Sequence, residues 1–362
     1  MNENLGIIAL ESAKTIGERV DQILCEWRNH DRFLIPVECP RFSSGEAKGV
    51  IQESVRDRDV YILVDVCNSS LTYKMDGALN RMSPDDHYQD LKRVIAACSG
   101  KAARITVIMP FLYEGRQHRR TQRESLDCAV MLRELETMGV HGVVTFDAHD
   151  PRMQNVVPLH GLDNISPALQ FTQALLSEYE DLQIDGDHLM FIAPDEGATG
   201  RVVFLATIFG VNIGMFYKRR DYTRIVDGSN PIISHDFCGG NVEGMDVIVV
   251  DDMIASGGSM LDVASQLKDR GARRVFLFST FGLFTSGFVK FDKAYAEGKF
   301  DRLLTTNLVW QKPELLQKPY YLSVNMNRYI AAIIDTLNKG QPMHEITRPE
   351  KRIREMLALY RG

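Results

Sequence analysis

Short apolar runs rich in β-branched residues recur along the chain, and each is bounded by a turn or by a helical pattern. Runs of this kind are typical of strands buried on both faces, as in parallel sheets covered by helices. The predicted strands are 60–64, 104–109, 142–146, 189–193, 213–217, 247–250 and 275–279. Amphipathic stretches with apolar residues at spacings of three and four lie between them, most clearly 123–138 and 260–270. The alternation predicts an α/β protein with parallel central sheets flanked by helices.

A weak internal repeat and the length of the chain both favour two domains. Residues 135–143 and 267–275 share one layout, in which a helix ends, a glycine follows and a strand begins. Any helix-to-strand junction can place a glycine there, so the repeat alone leaves duplication open. A chain of 362 residues, however, exceeds what one hydrophobic core usually organises. We predict an N-terminal domain over 1–165, a C-terminal domain over 166–342 and, for packing or assembly, an amphipathic helical tail over 343–362.

The composition argues against several kinds of partner. A formal net charge of −6 gives no general attraction for a polyanion, so nucleic acid is a poor candidate and any phosphate site must be local. The six cysteines include no CxxC pair, and no apolar run approaches the length of a membrane span. Residues 1–14 show neither a basic leader with an apolar core nor an Arg-rich transit composition. We therefore expect reduced thiols, no membrane partner and a cytoplasmic location.

The most informative stretch is 247–259, which reads VIVVDDMIASGGS. An apolar strand leads into two carboxylates, a glycine turn with flanking hydroxyls and the start of a helix. Backbone N–H groups at a helix N-terminus can bind a terminal phosphate, and carboxylates at a strand's end can accept hydrogen bonds from vicinal sugar hydroxyls. A capped turn with exposed acids is the alternative interpretation. The coincidence of these features favours a phosphorylated pentose as the ligand. Its predicted binding residues are Asp251, Asp252, Ser256, Gly257, Gly258 and Ser259.

Three other segments carry residues suited to phosphate chemistry. The 116–123 segment crowds four arginines around a histidine, which suits a polyphosphate, although a solvated basic helix start is equally compatible. His149 follows a predicted strand and could reach the sheet edge, although a structural histidine is the commoner interpretation of such a residue alone. Lys218 and Arg220 precede a polar stretch, 221–243, whose glycines and proline predict a mobile loop able to close over phosphate.

The 247–259 string resembles the phosphoribosyl diphosphate motif shared by phosphoribosyltransferases and ribose-phosphate pyrophosphokinases. Further segments resemble the kinase family, beginning with an adenine-site segment that phosphoribosyltransferases lack. These segments follow one another in the family's order over residues 33–340. They are 42–46 with 53–56, 110–120, 147–149, 194–201, 218–220 and 280–284. The chain is thus similar to the ribose-phosphate pyrophosphokinases.

This resemblance implies two tandem phosphoribosyltransferase-like domains and transfer of the diphosphate of MgATP to the 1-hydroxyl of ribose 5-phosphate. It implies that His149 and Asp195 bind Mg²⁺, and that Lys218 and Arg220 stabilise charge on the transferred group. It also implies homo-oligomers, commonly hexamers, in which the adenine segment acts across an interface. The ATP-binding residues implied in the same way are Phe42, Ser44, Glu46, Arg116 and Gln117.

Three positions depart from the family pattern and keep other functions open. Ser44 stands where Asp or Asn is expected, and His118 and Ala255 stand where an acid is usual. These changes bear on the preferred nucleotide and on one sugar or metal contact, and they would suit a regulatory paralogue with a decayed site. A phosphoribosyltransferase that consumes the activated sugar is the third candidate. The 42–46 segment and the second α/β half argue against it.

Overall fold

The computed structural model describes residues 4–220 and 232–361, without the side chains of 218–220 and 232–235. The chain divides into two compact units that are not continuous in sequence. Unit 1 comprises Met1–Pro167, Asn307–Trp310 and Asn325–Arg348, and unit 2 comprises Ala168–Thr306, Gln311–Val324 and Pro349–Gly362. Each unit has its own central sheet and its own hydrophobic core. The domain limits drawn from the sequence stay a prediction.

Strands and helices alternate through most of the described chain. The strands are β1 (Leu5–Ala9), β2 (Val37–Glu38), β3 (Val50–Ile51), β4 (Asp59–Leu63), β5 (Thr72–Met75), β6 (Ala78–Arg81), β7 (Arg104–Ile108), β8 (Gly142–Phe146), β9 (Gly161–Ile165), β10 (Leu189–Ala193), β11 (Asn212–Arg220), β12 (Ile232–Cys238), β13 (Asp246–Ile254), β14 (Arg274–Gly282), β15 (Arg302–Thr306) and β16 (Tyr321–Val324). The α-helices are α1 (Lys14–Arg28), α2 (Pro84–Ala97), α3 (Asp127–Thr137), α4 (Ala168–Glu178), α5 (Thr199–Phe209), α6 (Gly258–Asp269), α7 (Val289–Ala296), α8 (Asn327–Asn338), α9 (His344–Thr347) and α10 (Glu350–Arg361).

Unit 1 is built on a five-stranded parallel sheet with the strand order β1-β4-β7-β8-β9. All residues of β4 are buried, and so are all but the first of β7 and β8. Continuous apolar runs are what strands covered on both faces require. Because parallel strands end at the same edge, the loops after β7 and β8 emerge together, and these loops carry the 110–120 and 147–149 segments.

Unit 2 is built on a seven-stranded sheet with the strand order β12-β11-β10-β13-β14-β15-β16. Every neighbouring pair is parallel except β11 and β12. Strands β10 and β13 pair in register from Leu189↔Asp246 to Ile192↔Val249, so their carboxyl ends lie side by side. Residues that follow these two strands therefore share one edge of the sheet.

All seven predicted strands are confirmed, and three continue beyond their predicted ends, one of them being β14, which runs to Gly282. Strand β11 runs to Arg220, and β13 runs to Ile254 and so includes the acid pair. The helix predicted over 123–138 is also present, but it begins only at Asp127. Gly139 and Gly271 follow α3 and α6 with φ angles of 86° and 84°, which confirms the glycine between helix and strand in both halves of the repeat.

The mobile loop predicted over 221–243 is wrong in its second part. Residues 232–238 form β12, which pairs antiparallel with β11. The ring of Phe237 packs on that of Phe216 with centroids 5.1 Å apart, which explains why a largely polar segment is ordered here. Residues 221–231 lie outside the described residues.

The last part of the chain serves both units. In unit 2, α10 packs on α4 and α5 and buries Ile353 and Leu357, so the second part of the predicted tail is a packed helix. The Tyr360 hydroxyl donates to Tyr179 O at 2.6 Å and accepts from Leu182 N at 2.9 Å. No helix within 4–220 and 232–361 is long and apolar enough to span a membrane.

In unit 1, α8 completes a buried polar network at the start of β4 and β7. Asn338 is 4% exposed, and its Nδ2 donates to Asp59 Oδ2 at 2.8 Å. Arg104 donates to the same carboxylate through Nε at 2.7 Å and Nη2 at 2.6 Å, while Arg28 Nη1 donates to Asn338 Oδ1 at 2.8 Å. A buried carboxylate needs such a set of donors, so the sheet of unit 1 depends on a helix from the end of the chain.

Candidate active site

The loop between β13 and α6 has the geometry of a phosphate cradle. Gly257 adopts a left-handed φ of 79°, and α6 begins at the next residue. A Cβ built on Gly257 would lie 2.2 Å from Phe291 Cζ, so a side chain here would force the loop or the ring to move. The N–H groups of the first helical turn lack intrahelical acceptors, and the helix dipole favours an anion in front of them. Residues 256–259 can therefore hold a phosphate group.

The acid pair concentrates negative charge beside this cradle. Asp252 is 4% exposed, and its backbone N–H donates to Asp251 Oδ1 at 2.9 Å. Burial raises the pKa of Asp251 well above its usual range, and the carboxylates of Asp252 and Asp195 raise it further. Arg201 partly balances this charge, since its Nη2 lies 3.6 Å from Asp252 Oδ2. Such a site favours a divalent cation or the hydroxyl donors of a sugar.

A second helix N-terminus follows β10, the strand beside β13. Asp195 accepts a hydrogen bond from Gly197 N at 3.1 Å, and α5 begins at Thr199. Arg201 lies in the first turn of α5 and donates from Nη1 to Gly197 O at 3.4 Å. Unit 2 thus brings Asp195, Arg201 and the acid pair to one sheet edge. The sequence marked Arg201 only as part of a family segment and gave no sign of its contact with Asp252.

The predicted catalytic cations lie on the neighbouring strand. Lys218 and Arg220 belong to the last part of β11, which pairs with β10. Their backbone positions place them in the same sheet as the acid pair. Their side chains lie outside the described residues, so their catalytic role stays a prediction.

In unit 1, the predicted ATP-binding residues Phe42, Ser44 and Glu46 lie on one tight turn. Phe42 N donates to Glu46 O at 2.7 Å, and Gly45 N donates to Phe42 O at 2.9 Å. Ser44 Oγ donates to Glu46 Oε2 at 2.9 Å, so the serine joins the turn rather than pointing away from it. The Phe42 side chain is 54% exposed. An exposed ring on an ordered turn is suited to stacking on a planar base.

A β-hairpin that was not predicted from the sequence supports this turn. Strands β5 and β6 meet at Asp76 and Gly77, which both have positive φ, and an Asp-Gly pair between short strands is the usual signal for such a hairpin. Asp76 N donates to Ser43 O at 3.1 Å. The Arg41 guanidinium lies over the Tyr73 ring, 4.9 Å from its centroid. The hairpin therefore holds the turn from one side.

The remaining predicted residues of unit 1 follow β7 and β8. Arg116 is exposed, and Gln117 Nε2 donates to Ser125 O at 2.8 Å, which ties together the two ends of their loop. The rings of His118 and His149 meet with centroids 5.4 Å apart and planes tilted by 56°. In the sequence, His118 stands out only as a departure from the family pattern, and nothing there indicates its contact with His149.

The chain has two α/β units, and unit 2 carries an acid pair, a glycine turn and a helix N-terminus at one edge of its sheet. This combination defines a protein of the phosphoribosyltransferase-like class. Three family models match the chain in order: the N-terminal domain of ribose phosphate pyrophosphokinase over 5–139, the phosphoribosyl transferase domain over 162–281 and the phosphoribosyl synthetase-associated domain over 231–348. The three models together match residues of both units.

Individual relatives agree with these matches. A ribose-phosphate pyrophosphokinase from Ralstonia nicotianae is 30% identical over 275 residues, which cover 74% of this chain and 76% of the relative. One from Vibrio parahaemolyticus is 30% identical over 306 residues, which cover 83% of this chain and 87% of the relative. The chain therefore belongs to the ribose-phosphate pyrophosphokinase family.

A solved structure shows the same fold. The phosphoribosylpyrophosphate synthetase from Mycobacterium smegmatis superimposes with a TM-score of 0.76 at 20% identity, over 93% of this chain and 100% of the other. The family, the fold class and the type of enzyme predicted from the sequence are confirmed. The roles assigned to individual site residues stay predictions.

Proposed function

We propose that this chain transfers the β,γ-diphosphate of MgATP to the 1-hydroxyl of ribose 5-phosphate, giving phosphoribosyl diphosphate and AMP. The observation that carries the proposal is the edge of the unit 2 sheet, where the 256–259 cradle, the acid pair and Arg201 lie together. The relatives named ribose-phosphate pyrophosphokinase support the same activity.

The unit 2 edge suits ribose 5-phosphate. The cradle of Ser256, Gly257, Gly258 and Ser259 takes the 5-phosphate in front of α6. The carboxylates of Asp251 and Asp252 accept hydrogen bonds from the ring hydroxyls, and this orients the sugar so that its 1-hydroxyl can attack. No side chain is required as a base, because fixing the nucleophile in line and stabilising the transferred charge lower the barrier.

The negative charge at this edge favours a divalent cation that takes most of its ligands from phosphate oxygens and water. Repulsion from Asp252 and Asp195 contributes to the raised pKa of Asp251, and a divalent cation at this edge would relieve it. By family resemblance, His149 and Asp195 are the residues that would hold Mg²⁺. When bound, it neutralises charge on the phosphate oxygens. Lys218 and Arg220 on β11 would stabilise the transferred group as charge develops.

The nucleotide is assigned to residues of unit 1. Phe42 would stack on the adenine, with Ser44 and Glu46 shaping the turn beneath it, while Arg116 and Gln117 contact the nucleotide. By family resemblance the enzyme works as a cytoplasmic homo-oligomer, a hexamer in the usual case. Light scattering on the purified chain would check the assembly.

A coupled assay for AMP tests the proposal. We expect AMP to form only when ATP, ribose 5-phosphate and a divalent cation are all present. Asp252→Asn should raise the KM for ribose 5-phosphate roughly 10- to 100-fold and change that for ATP much less, because it removes an acceptor of the sugar hydroxyls. If the wild-type chain binds ribose 5-phosphate but forms no AMP at high enzyme concentration, the regulatory paralogue is the correct alternative.

A further inference from the structure

His118 lies beside His149 with one ring nitrogen unused. The His118 Nδ1 atom is buried, and it has no hydrogen-bond partner in the described part of the chain. The two ring centroids are 5.4 Å apart. A buried, unpartnered ring nitrogen is costly unless it meets a ligand, so this atom calls for an explanation.

The other nitrogen of His118 is oriented by a fixed carboxylate. Nε2 lies 3.4 Å from Asp150 Oδ2. Arg152 holds that carboxylate, with Nε 2.9 Å from Oδ1 and Nη2 2.5 Å from Oδ2. A carboxylate held by an arginine acts as an acceptor, which favours the proton on Nε2 and leaves the lone pair on Nδ1. Metal-ligating histidines have this arrangement, in which a carboxylate fixes the tautomer.

The spacing of the two rings fits one shared ion. Two imidazoles that bind an ion at about 2.1 Å from each nitrogen hold their ring centroids about 5 Å apart, close to the separation of His118 and His149. Across 4–220 and 232–361, no group of three or more His, Cys, Asp or Glu side chains could hold a metal. The two histidines would therefore need phosphate oxygens or water to complete the coordination.

We propose that His118 and His149 form a two-imidazole site for a borderline divalent ion such as Mn²⁺ or Co²⁺, completed by the phosphate oxygens of the nucleotide. The inference rests on the proposed function, because His149 is assigned there as a metal ligand. Imidazole suits first-row transition ions, whereas Mg²⁺ prefers oxygen ligands. Since the resembling family usually has an acid at position 118, the histidine would shift the metal preference of this chain away from Mg²⁺.

Metal binding tests the inference without turnover. Mn²⁺ is titrated into the full chain, alone and with α,β-methylene ATP, and its binding is followed by electron paramagnetic resonance. In this analogue a methylene group replaces the oxygen between the α- and β-phosphates, so the diphosphate cannot be transferred. Wild type should bind Mn²⁺ more tightly than His118→Ala by roughly 10-fold or more, and its bound Mn²⁺ should show nitrogen coupling that weakens in the variant. His118→Asp should lose Mn²⁺ affinity and gain Mg²⁺ affinity, because it supplies an oxygen ligand.

A matched control is His160→Ala, which removes another histidine of unit 1 whose Nε2 lies 3.2 Å from Glu136 Oε1. This variant should bind Mn²⁺ as wild type does, and circular dichroism checks the fold of each variant. Equal Mn²⁺ affinity and equal nitrogen coupling in wild type and both His118 variants would overturn the inference. If the nucleotide analogue does not bind wild type at all, the proposed function fails instead, and the titrations with Mn²⁺ alone still decide the role of His118.

Discussion

Substitution of Gly257 by alanine should destabilise unit 2 through two separable effects. The residue has a φ of 79°, and a left-handed conformation costs an alanine roughly 1–2 kcal/mol. The new Cβ would also lie 2.2 Å from Phe291 Cζ, and overpacking of this kind costs about 1–3 kcal/mol. Because Phe291 is fully buried and packs edge-on against Phe284, the ring has little room to move. We expect the free energy of unfolding to fall by about 2–5 kcal/mol.

The neighbouring glycine provides the matched control. A Cβ on Gly258 would meet nothing closer than Ser256 Oγ at 3.9 Å, and the residue already lies at the start of α6. Gly258→Ala should therefore keep its stability within about 0.5 kcal/mol while weakening ribose 5-phosphate binding, since the backbone can no longer approach the phosphate. Urea unfolding followed by circular dichroism measures stability, and calorimetry measures binding. Equal unfolding midpoints for the two variants would refute this account of the loop.

Three further predictions concern other parts of the chain. Lys218→Ala should lower kcat by roughly 100-fold or more in steady-state kinetics while changing KM far less, because the cation acts on charge that develops during transfer. A near-normal kcat would remove Lys218 from the mechanism. Tyr73→Ala should raise the KM for ATP but not that for ribose 5-phosphate, because it removes the ring on which Arg41 lies and so loosens the contact of the hairpin with the predicted ATP-binding turn. Tyr73→Phe serves as the control that retains the ring. Burial raises the pKa of Asp65 to about 7, so its protonated form stabilises the fold at low pH and this contribution is lost as pH rises to 7. Relative to Asp65→Asn, the wild-type free energy of unfolding should fall by about 1.4 kcal/mol per pH unit between pH 4 and 7, and parallel urea-unfolding profiles would contradict this.

The strands that the sequence predicted lie mostly in the middle of their sheets. Residues 142–146 and 189–193 match their predictions at both ends because an interior strand must be apolar on both faces. In the two central sheets the strands β1, β9, β12, β15 and β16 were missed, and all of them except β15 lie at the edge of a sheet. An edge strand can carry polar residues, as Asp163 and Asn164 show in β9, so its apolar signal is weak.

The candidate site was predictable where its residues are close in sequence. The acid pair and the glycine turn stand in one short string, so the amino-acid sequence alone indicates their chemistry. The contact of Arg201 with Asp252 joins a helix to a strand, and the orientation of His118 by Asp150 joins two different loops. Such pairs depend on which strands lie side by side, and no local pattern encodes that.

The dependence of unit 1 on α8 has a consequence for the nascent chain. When Pro167 leaves the ribosome, the five strands of the unit 1 sheet have been made, but Asn338 has not. At about 5–20 residues per second, the polar network around Asp59 waits roughly 10–30 seconds for its last donor, while unit 2 is being synthesised. The unit that emerges first is thus completed almost last, and a recombinant fragment that stops at Pro167 would keep an unfinished carboxylate site in place of that network.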